Sequence, residues 1–500
     1  MRTKQRRGAG SPQEIKSSGR EVRFSEIKNY ILFASVMAGI SIYSTTFMHL
    51  IEQNLDHKPT VCVWSLEIDR KHLQHVFDLF ERLGFQTTDE IDSDWDVMWA
   101  HNCPFFNQTL AQIMRNLKPH QRVNKIPGNN FVTQKMAFSI VGGSFVPKSF
   151  KLPEQHEAFL EYVNKFPNKS FVEKSIFHRN VSIKALNDIS KHTSEKFIQE
   201  YVANPILIGG RKFDIGVYVV ITSVEPLRIY SLEGDATFRF CTEPYEPFNA
   251  SILEKYVIGK DYLPAYKVRE MQPYLKLSHK PKDAFDAYIR SIEKDPSAIW
   301  QQVRDAVESV YLTRLDAILP YVNKYKHKNN FFELVRFDFI LDENFKVYLL
   351  EANMSPNLSS VKNSENGIRH DQTLFSTLSL VGISNFFTPL FQNENRSREM
   401  EVSKRNIMVY PEHCLKCTDC SSINCQLCEP CLTEELLNDI KATYREHKNK
   451  NRFKRLFPPK MTQEEARIGI PFRFNEKLTM QTIQIYRWFQ GKCLLDDSWC

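Results

Sequence analysis

The feature that most limits what this chain can fold into is the stretch FELVRFDFILDENFKVYLLEANMSPNL, from Phe332 to Leu358. Leu334–Leu341 and Phe345–Ala352 are short apolar runs separated by Asp342–Asn344, residues suited to a tight turn, so they predict two antiparallel strands. With the turn centred on Glu343–Lys346, Asp338 and Glu351 face each other, and Asn353 projects from the same face as Glu351. Two carboxylates and an amide oxygen among apolar strand residues are costly unless a cation or hydrogen bonds compensate them. Such oxygen ligands suit a hard ion like Mg²⁺, which takes one or two carboxylates and fills other positions with phosphate oxygens. The alternative is a plain hairpin whose acids pair with lysines at a sheet edge.

A second run, FIQEYVANPILIGGRKFDIGVYVVITS, carries β-type segments at Val202–Ile208 and Val217–Thr222. Alternation puts Lys212, Asp214, Gly216 and Tyr218 on one strand face and Phe213, Ile215 and Val217 on the other. Gly209-Gly210 before them permits a sharp turn or close backbone approach. Elsewhere Val61–Leu66 reads as a strand, and His72–Leu83 as a helix with Leu73, Val76, Leu79 and Phe80 on one face. Pro127-Gly128 marks a turn. Asp261–Ser297 holds four prolines and reads as a loop-rich connection, with helix from about Ala298. The fold class is therefore mixed α/β. At 500 residues, 42% hydrophobic and 25% charged, the chain is globular, with room for two or three domains.

These two stretches together resemble the tubulin–tyrosine ligase-like family. QEYVANPILIGGRKFDIGVYVVITSVEPLRIY is similar to its Q-x-Y-I-x-x-P-L-L-I…(R/K)-K-F-D-x-R-x-Y-V segment. FELVRFDFILDENFKVYLLEANMSPNL is similar to F-E-L-x-G-F-D-x-L-L-D…W-L-L-E-V-N-x-S-P-S-L. Weaker likenesses are DWDVMWAH, VNKIPGNNFVTQK and RFCTEPY, so the resemblance spans about residues 60–385. It implies an ATP-grasp fold with two lobes around a nucleotide cleft, using ATP and Mg²⁺. Carried over position by position, Asp338, Glu351 and Asn353 match the Mg²⁺ ligands. Lys212 and Asp214 match nucleotide-site residues, and Gln199, Glu200, Tyr201 and Val202 match the hinge that holds adenine. Lys174 matches a lysine near the phosphates, and Arg239 an arginine that helps bind the amino acid or developing phosphate charge. The implied activity is ligation of an amino acid, glutamate by family membership, to a carboxylate of tubulin or of another protein with an acidic tail.

Three departures bear on activity. The family's K-F-D-x-R arginine is Gly216 here, and its G-F-D is Arg336-Phe337-Asp338, with Arg336 a candidate replacement for the lost cation. The glycine-rich phosphate loop is replaced by KSIFHRNVSIKAL. A catalytically degenerate nucleotide- or peptide-binding protein is the alternative to a working ligase.

The flanks predict further modules. Residues 1–28 form a basic tail, and Asn29–Ile51 holds no charged residue, enough length for a transmembrane helix. Basic charge before it favours a type II, single-pass orientation, which would put a ligase domain in the lumen with a non-tubulin substrate. With a cytosolic domain the protein would be microtubule-associated. Cys414, Cys417, Cys420, Cys425, Cys428 and Cys431, within 399–432, read either as Zn²⁺ ligands or as three disulfides. Residues 433–500 form a basic helical extension, able to attract an acidic protein tail or to present a solvated face. No basic motif interleaved with aromatics points to nucleic acid.

Overall fold

The computed structural model describes residues 58–500, except 67–69, 141–142, 176–180, 185–195, 248, 250, 260, 277–279, 357, 359–364, 385–401 and 475–476. Three sheets organise it. The first is parallel, ordered β2-β1-β3-β4, from β1 (Thr60–Trp64), β2 (Gln86–Thr88), β3 (Val97–Ala100) and β4 (Arg122–Val123). Helix Gln74–Arg82 follows β1 and buries Val76, Leu79 and Phe80, the face its spacing predicts. The second sheet is antiparallel, ordered β5-β8-β6-β7, from β5 (Ser149–Lys151), β6 (Phe171–Ser175), β7 (Val181–Lys184) and β8 (Lys196–Glu200). Phe150, Phe159, Phe171 and Ile198 form its own small core.

The third sheet holds most of the core. Its spine is β10 (Arg211–Val224), a strand of 14 residues buried along almost its whole length. It pairs with β9 (Leu207–Ile208), β11 (Leu227–Ser231), β12 (Thr237–Phe240) and β14 (Glu333–Leu341). β13 (Leu263–Pro264), β15 (Val347–Asn353) and β16 (Lys454–Phe457) extend it. A fully buried antiparallel strand needs both faces covered. Helix Pro296–Val322 covers one with Val303, Val307, Val310 and Tyr311, which join the cluster holding Ile215, Val217 and Val219. Tyr218 and Val220, on the other face, join Leu374 and Leu378 of helix Glu365–Leu380.

Several expectations need correction. The Val202–Ile208 strand shrinks to Leu207–Ile208, because Pro205 lacks the donor a continuing ladder needs. A helix, Pro281–Ser291, lies inside the expected loop, its proline tolerated at the first helical position. The basic tail 1–28 and the expected transmembrane segment 29–51 lie outside the described residues. Among the described residues, no helix is long and apolar enough to cross a membrane. The longest, Pro296–Val322, carries Arg304, Asp305, Glu308, Arg314 and Asp316. The mixed α/β class stands, with no membrane-spanning helix among the described residues, and the single-pass, type II placement is withdrawn.

The C-terminal extension is part of the third sheet. β16 pairs antiparallel with β11, and helix Glu434–Asn449 packs behind it. Its basic residues are largely spent internally. Arg452 meets Asp235 at 2.9 Å, Lys454 lies 3.7 Å from Glu233, and buried Arg455 donates to the carbonyls of Pro459, Trp499 and Cys500. That leaves less of this charge for an acidic partner than the sequence suggests.

Candidate active site

The β14–β15 ribbon puts Asp338 opposite Glu351 and Arg336 opposite Asn353, the facing read from sequence. The device differs. From the turn outward Leu341 pairs with Val347 and Phe339 with Leu349, and a bulge at Leu350 shifts the register by one so that Asp338 meets Glu351. Without that extra residue Asp338 would face Leu350. The Asn353 amide then lies 3.0 Å from Asp338 Oδ2 and 3.1 Å from Glu351 Oε1, donating to both. Lys125, buried, donates to the Met354 carbonyl at 2.6 Å and the Ser355 hydroxyl at 2.9 Å, fixing the chain just beyond.

A cavity between the second and third sheets is lined by ten of the residues singled out: Lys174, Gln199, Glu200, Tyr201, Val202, Lys212, Asp214, Arg239, Asp338 and Glu351. Lys174 reaches in from β6 and donates to Gln199 Oε1 at 2.5 Å, and Gln199 donates to Ser149 Oγ. The Glu200 carboxylate is committed to Tyr162 and Lys169, which makes it a scaffold of this wall. Lys212 donates to the Tyr256 carbonyl at 2.9 Å and sits 4.7 Å from the Tyr201 ring centroid. Asn353 joins the site through its two carboxylate partners. The six cysteines lie elsewhere.

Charge pairing explains the burial. Arg239 on β12 makes a two-pronged contact to Asp214, at 2.9 and 2.6 Å, and lies 3.0 Å from Asp338. Arg336 grips both oxygens of Asp338, at 2.7 and 2.9 Å. Burial pushes the Asp214 carboxyl up to about 6, although Arg239 pulls against it. Burial acts on Asp338 too, but Arg336 and Arg239 override it and hold that carboxyl down at about 2. Lys174 and Lys212 are both lowered by burial to about 8.

The same geometry accounts for Gly216. A Cβ there would collide with Thr237 Oγ1 and press on Arg336 Cδ and Asp338 Oδ1, each at 3.2 Å. Arg336, on the neighbouring strand, thus fills the space of the missing arginine. Gly216→Arg is expected to cost about 1–3 kcal/mol, as overpacking does. Combining it with Arg336→Gly should recover part of that loss, read from denaturation midpoints and nucleotide affinity. The replaced glycine-rich loop lies largely outside the described residues.

One residue of the site was missed. Lys135, from helix Lys135–Ile140, lines the cavity and lies 3.8 Å from Glu351 Oε2. It ends the stretch VNKIPGNNFVTQK, a signal that could have flagged it. The donor set fits a divalent cation: among the described residues the Glu351 carboxylate makes one ion pair, the 3.8 Å contact to Lys135, with Lys174 and Arg239 also acting on it, and Asp338 and Asn353 stand within hydrogen-bond distance of one another.

Arg239 also lines a second cavity, with Lys280, Arg369, His370, Arg452 and Asp235. Asp235 holds Arg452 at 2.9 Å and Arg369 at 3.9 Å. Burial lowers His370 to about 4, so its ring is neutral near pH 7.

The cysteine module forms disulfides Cys414–Cys428, Cys417–Cys425 and Cys420–Cys431, and Cys493–Cys500 is a fourth that the sequence did not pair. With the six sulfurs so bonded, Zn²⁺ does not describe this state.

The tubulin-tyrosine ligase family matches residues 106–381 of the chain. A probable tubulin polyglutamylase of Caenorhabditis elegans, ttll-15, is 35% identical over 442 residues, covering 86% of this chain and 84% of the worm protein. The human tubulin monoglutamylase TTLL4 is 27% identical over 311 residues, 58% of this chain and 25% of TTLL4. The mouse tubulin polyglutamylase TTLL5 is 24% identical over 384 residues, 70% of this chain and 27% of TTLL5. The chain belongs to the tubulin-tyrosine ligase family.

Proposed function

We propose that this chain is an ATP-dependent ligase that adds glutamate to a carboxylate of tubulin. The observation that carries this reading is the convergence of Asp338 and Glu351, joined by the Asn353 amide that donates to both, on a cavity that also holds Lys135, Lys174, Lys212 and Arg239. Four carboxylates and four cations line that cavity, so a triphosphate entering it needs further positive charge. Mg²⁺ bound by Glu351, Asn353 and Asp338 would supply that charge and neutralise the phosphoryl group in transfer.

The chemistry follows from what the substrates lack. A carboxylate is a poor electrophile. An oxygen of the acceptor carboxylate attacks the γ-phosphorus of ATP, ADP leaves, and an acyl phosphate forms. The amino group of glutamate then attacks the acyl carbon, loses a proton, and phosphate leaves. Lys174 and Lys212 hold phosphate oxygens, and the wall from Gln199 to Val202 holds the base. Arg239 bridges the two cavities, placing a guanidinium where phosphate charge develops. The cationic second cavity suits the carboxylates of glutamate or of the acceptor.

The test is ATP-dependent incorporation of labelled glutamate into tubulin. Nucleotide binding without incorporation would leave the degenerate alternative, which Arg336's two-pronged hold on Asp338 favours.

Affinity for the nucleotide should fall as pH rises above 8. Lys174 and Lys212, lowered to about 8, are charged below that pH and neutral above it. Each lysine that must regain its proton on binding phosphate weakens binding by up to about tenfold per pH unit. Lys174→Gln should weaken binding at pH 7 and remove one such dependence, measured calorimetrically from pH 7 to 9.

A further inference from the structure

His413, Cys417 and Cys425 present ligand atoms that all lie within 4.8 Å of one another. Two spacings between atoms that share no bond are telling. Cys425 Sγ is 3.7 Å from His413 Nε2, and Cys417 Sγ is 3.9 Å from Cys428 Sγ. In a tetrahedral zinc site, metal–sulfur bonds of about 2.3 Å and metal–nitrogen bonds of about 2.0–2.1 Å put two sulfurs about 3.8 Å apart and a sulfur and nitrogen about 3.6 Å apart. These two separations are already close to those values, with His413 on the short helical turn Pro411–Cys414 and Cys425 on Ile423–Gln426, while Cys417 and Cys425 stand bonded to each other.

We propose that, once its disulfides are reduced, this module binds one Zn²⁺ through His413, Cys417, Cys425 and Cys428. Only two disulfides have to open, Cys417–Cys425 and Cys414–Cys428. Cys414 is released as a spare thiol, and Cys428 swings toward His413. Cys420–Cys431 takes no part. With a phosphine reductant, each disulfide becomes two thiols while the phosphine becomes its oxide, taking oxygen from water and leaving water's two protons on sulfur. Zinc then displaces the thiol protons of Cys417, Cys425 and Cys428 to solvent. His413 is exposed, which gives the ion its entry path. The module packs on the C-terminal extension, where Gln484 donates to Gln426 at 2.7 Å and Leu427 and Leu436 join the main core. Disulfides in an oxidising setting and zinc in a reducing one would hold the same staple closed.

The test treats the 500-residue chain with phosphine under argon, with Zn²⁺ present throughout so that a module needing the metal to stay folded still captures it. After washing, metal is counted by elemental mass spectrometry, and Co²⁺ is substituted to read the visible bands of tetrahedral thiolate coordination. The expected result is one zinc per reduced chain and none per oxidised chain. Cys420→Ser with Cys431→Ser should keep the zinc, Cys425→Ser with Cys428→Ser should lose it, and His413→Ala should bind it at least tenfold more weakly. A reduced chain without zinc, an oxidised chain that binds it equally, or zinc retained by the Cys425/Cys428 double variant overturns the proposal.

Discussion

Glu351→Gln should lower glutamate transfer by about 10²–10³-fold, the loss typical when one charge aimed at a transition state is removed. The substitution keeps the shape and the oxygen that accepts from Asn353, and removes only the negative charge. Glu351 is the right member of the trio to change. Its carboxylate is about one-third exposed and its counter-charge, Lys135, is 3.8 Å away. Asp338 is almost fully buried and serves Arg336, Arg239 and Asn353 together. Neutralising it would strand the buried Arg336 guanidinium and leave Arg239 with Asp214 alone, so lost activity there would be confounded with lost folding. Transfer would be measured at saturating ATP, beside the unfolding midpoint and nucleotide affinity. A variant as active as the wild type would remove Glu351 from the chemistry and with it the reading of the ribbon as a metal-holding device.

The ribbon was legible because its signal is local. Period-two alternation and turn residues placed Asp338, Glu351 and Asn353 on one face, and Lys212 and Asp214 followed from the same rule. Yet the register came out right through a bulge at Leu350 that no alternation rule contains. What stayed hidden is non-local. Lys135 meets Glu351 from far along the chain, and Arg336 occupies the space over Gly216 only because β14 lies beside β10. Charge misled in the C-terminal extension. Lys454–Phe457 is short and begins with two basic residues, which reads as surface, but β11 offers it an open edge and Asp235 and Glu233 take up its neighbours' charge. The charge-free run at 29–51 satisfied a length rule, and nothing among the described residues supplies the spanning helix it predicted.

Glu446→Ala should destabilise the protein by about 3–5 kcal/mol, the cost of breaking a buried ion pair from one side. Glu446, on helix Glu434–Asn449, receives Arg228 Nε at 3.2 and 3.0 Å and the Thr222 hydroxyl at 2.9 Å. The side chains are 7% and 1% exposed, so solvent cannot screen the guanidinium that is left behind. Arg228 lies on β11 and Thr222 on β10, the strand that carries Lys212 and Asp214. The pair thus ties the C-terminal extension to the strand supporting the cavity. Arg228→Met with Glu446→Leu should recover most of the loss, because an apolar pair of similar volume removes both charges together. Asn329, which accepts from Arg228 at 3.2 Å, would then retain Asp439 as its partner. Denaturation midpoints of the single and double variants, with nucleotide affinity measured well below the transition, separate the two contributions. A single variant within about 1 kcal/mol of the wild type would mean that the extension rests on its apolar contacts alone. Affinity lost in the single variant and restored in the double would mean that the far edge of the sheet sets the geometry of the cavity.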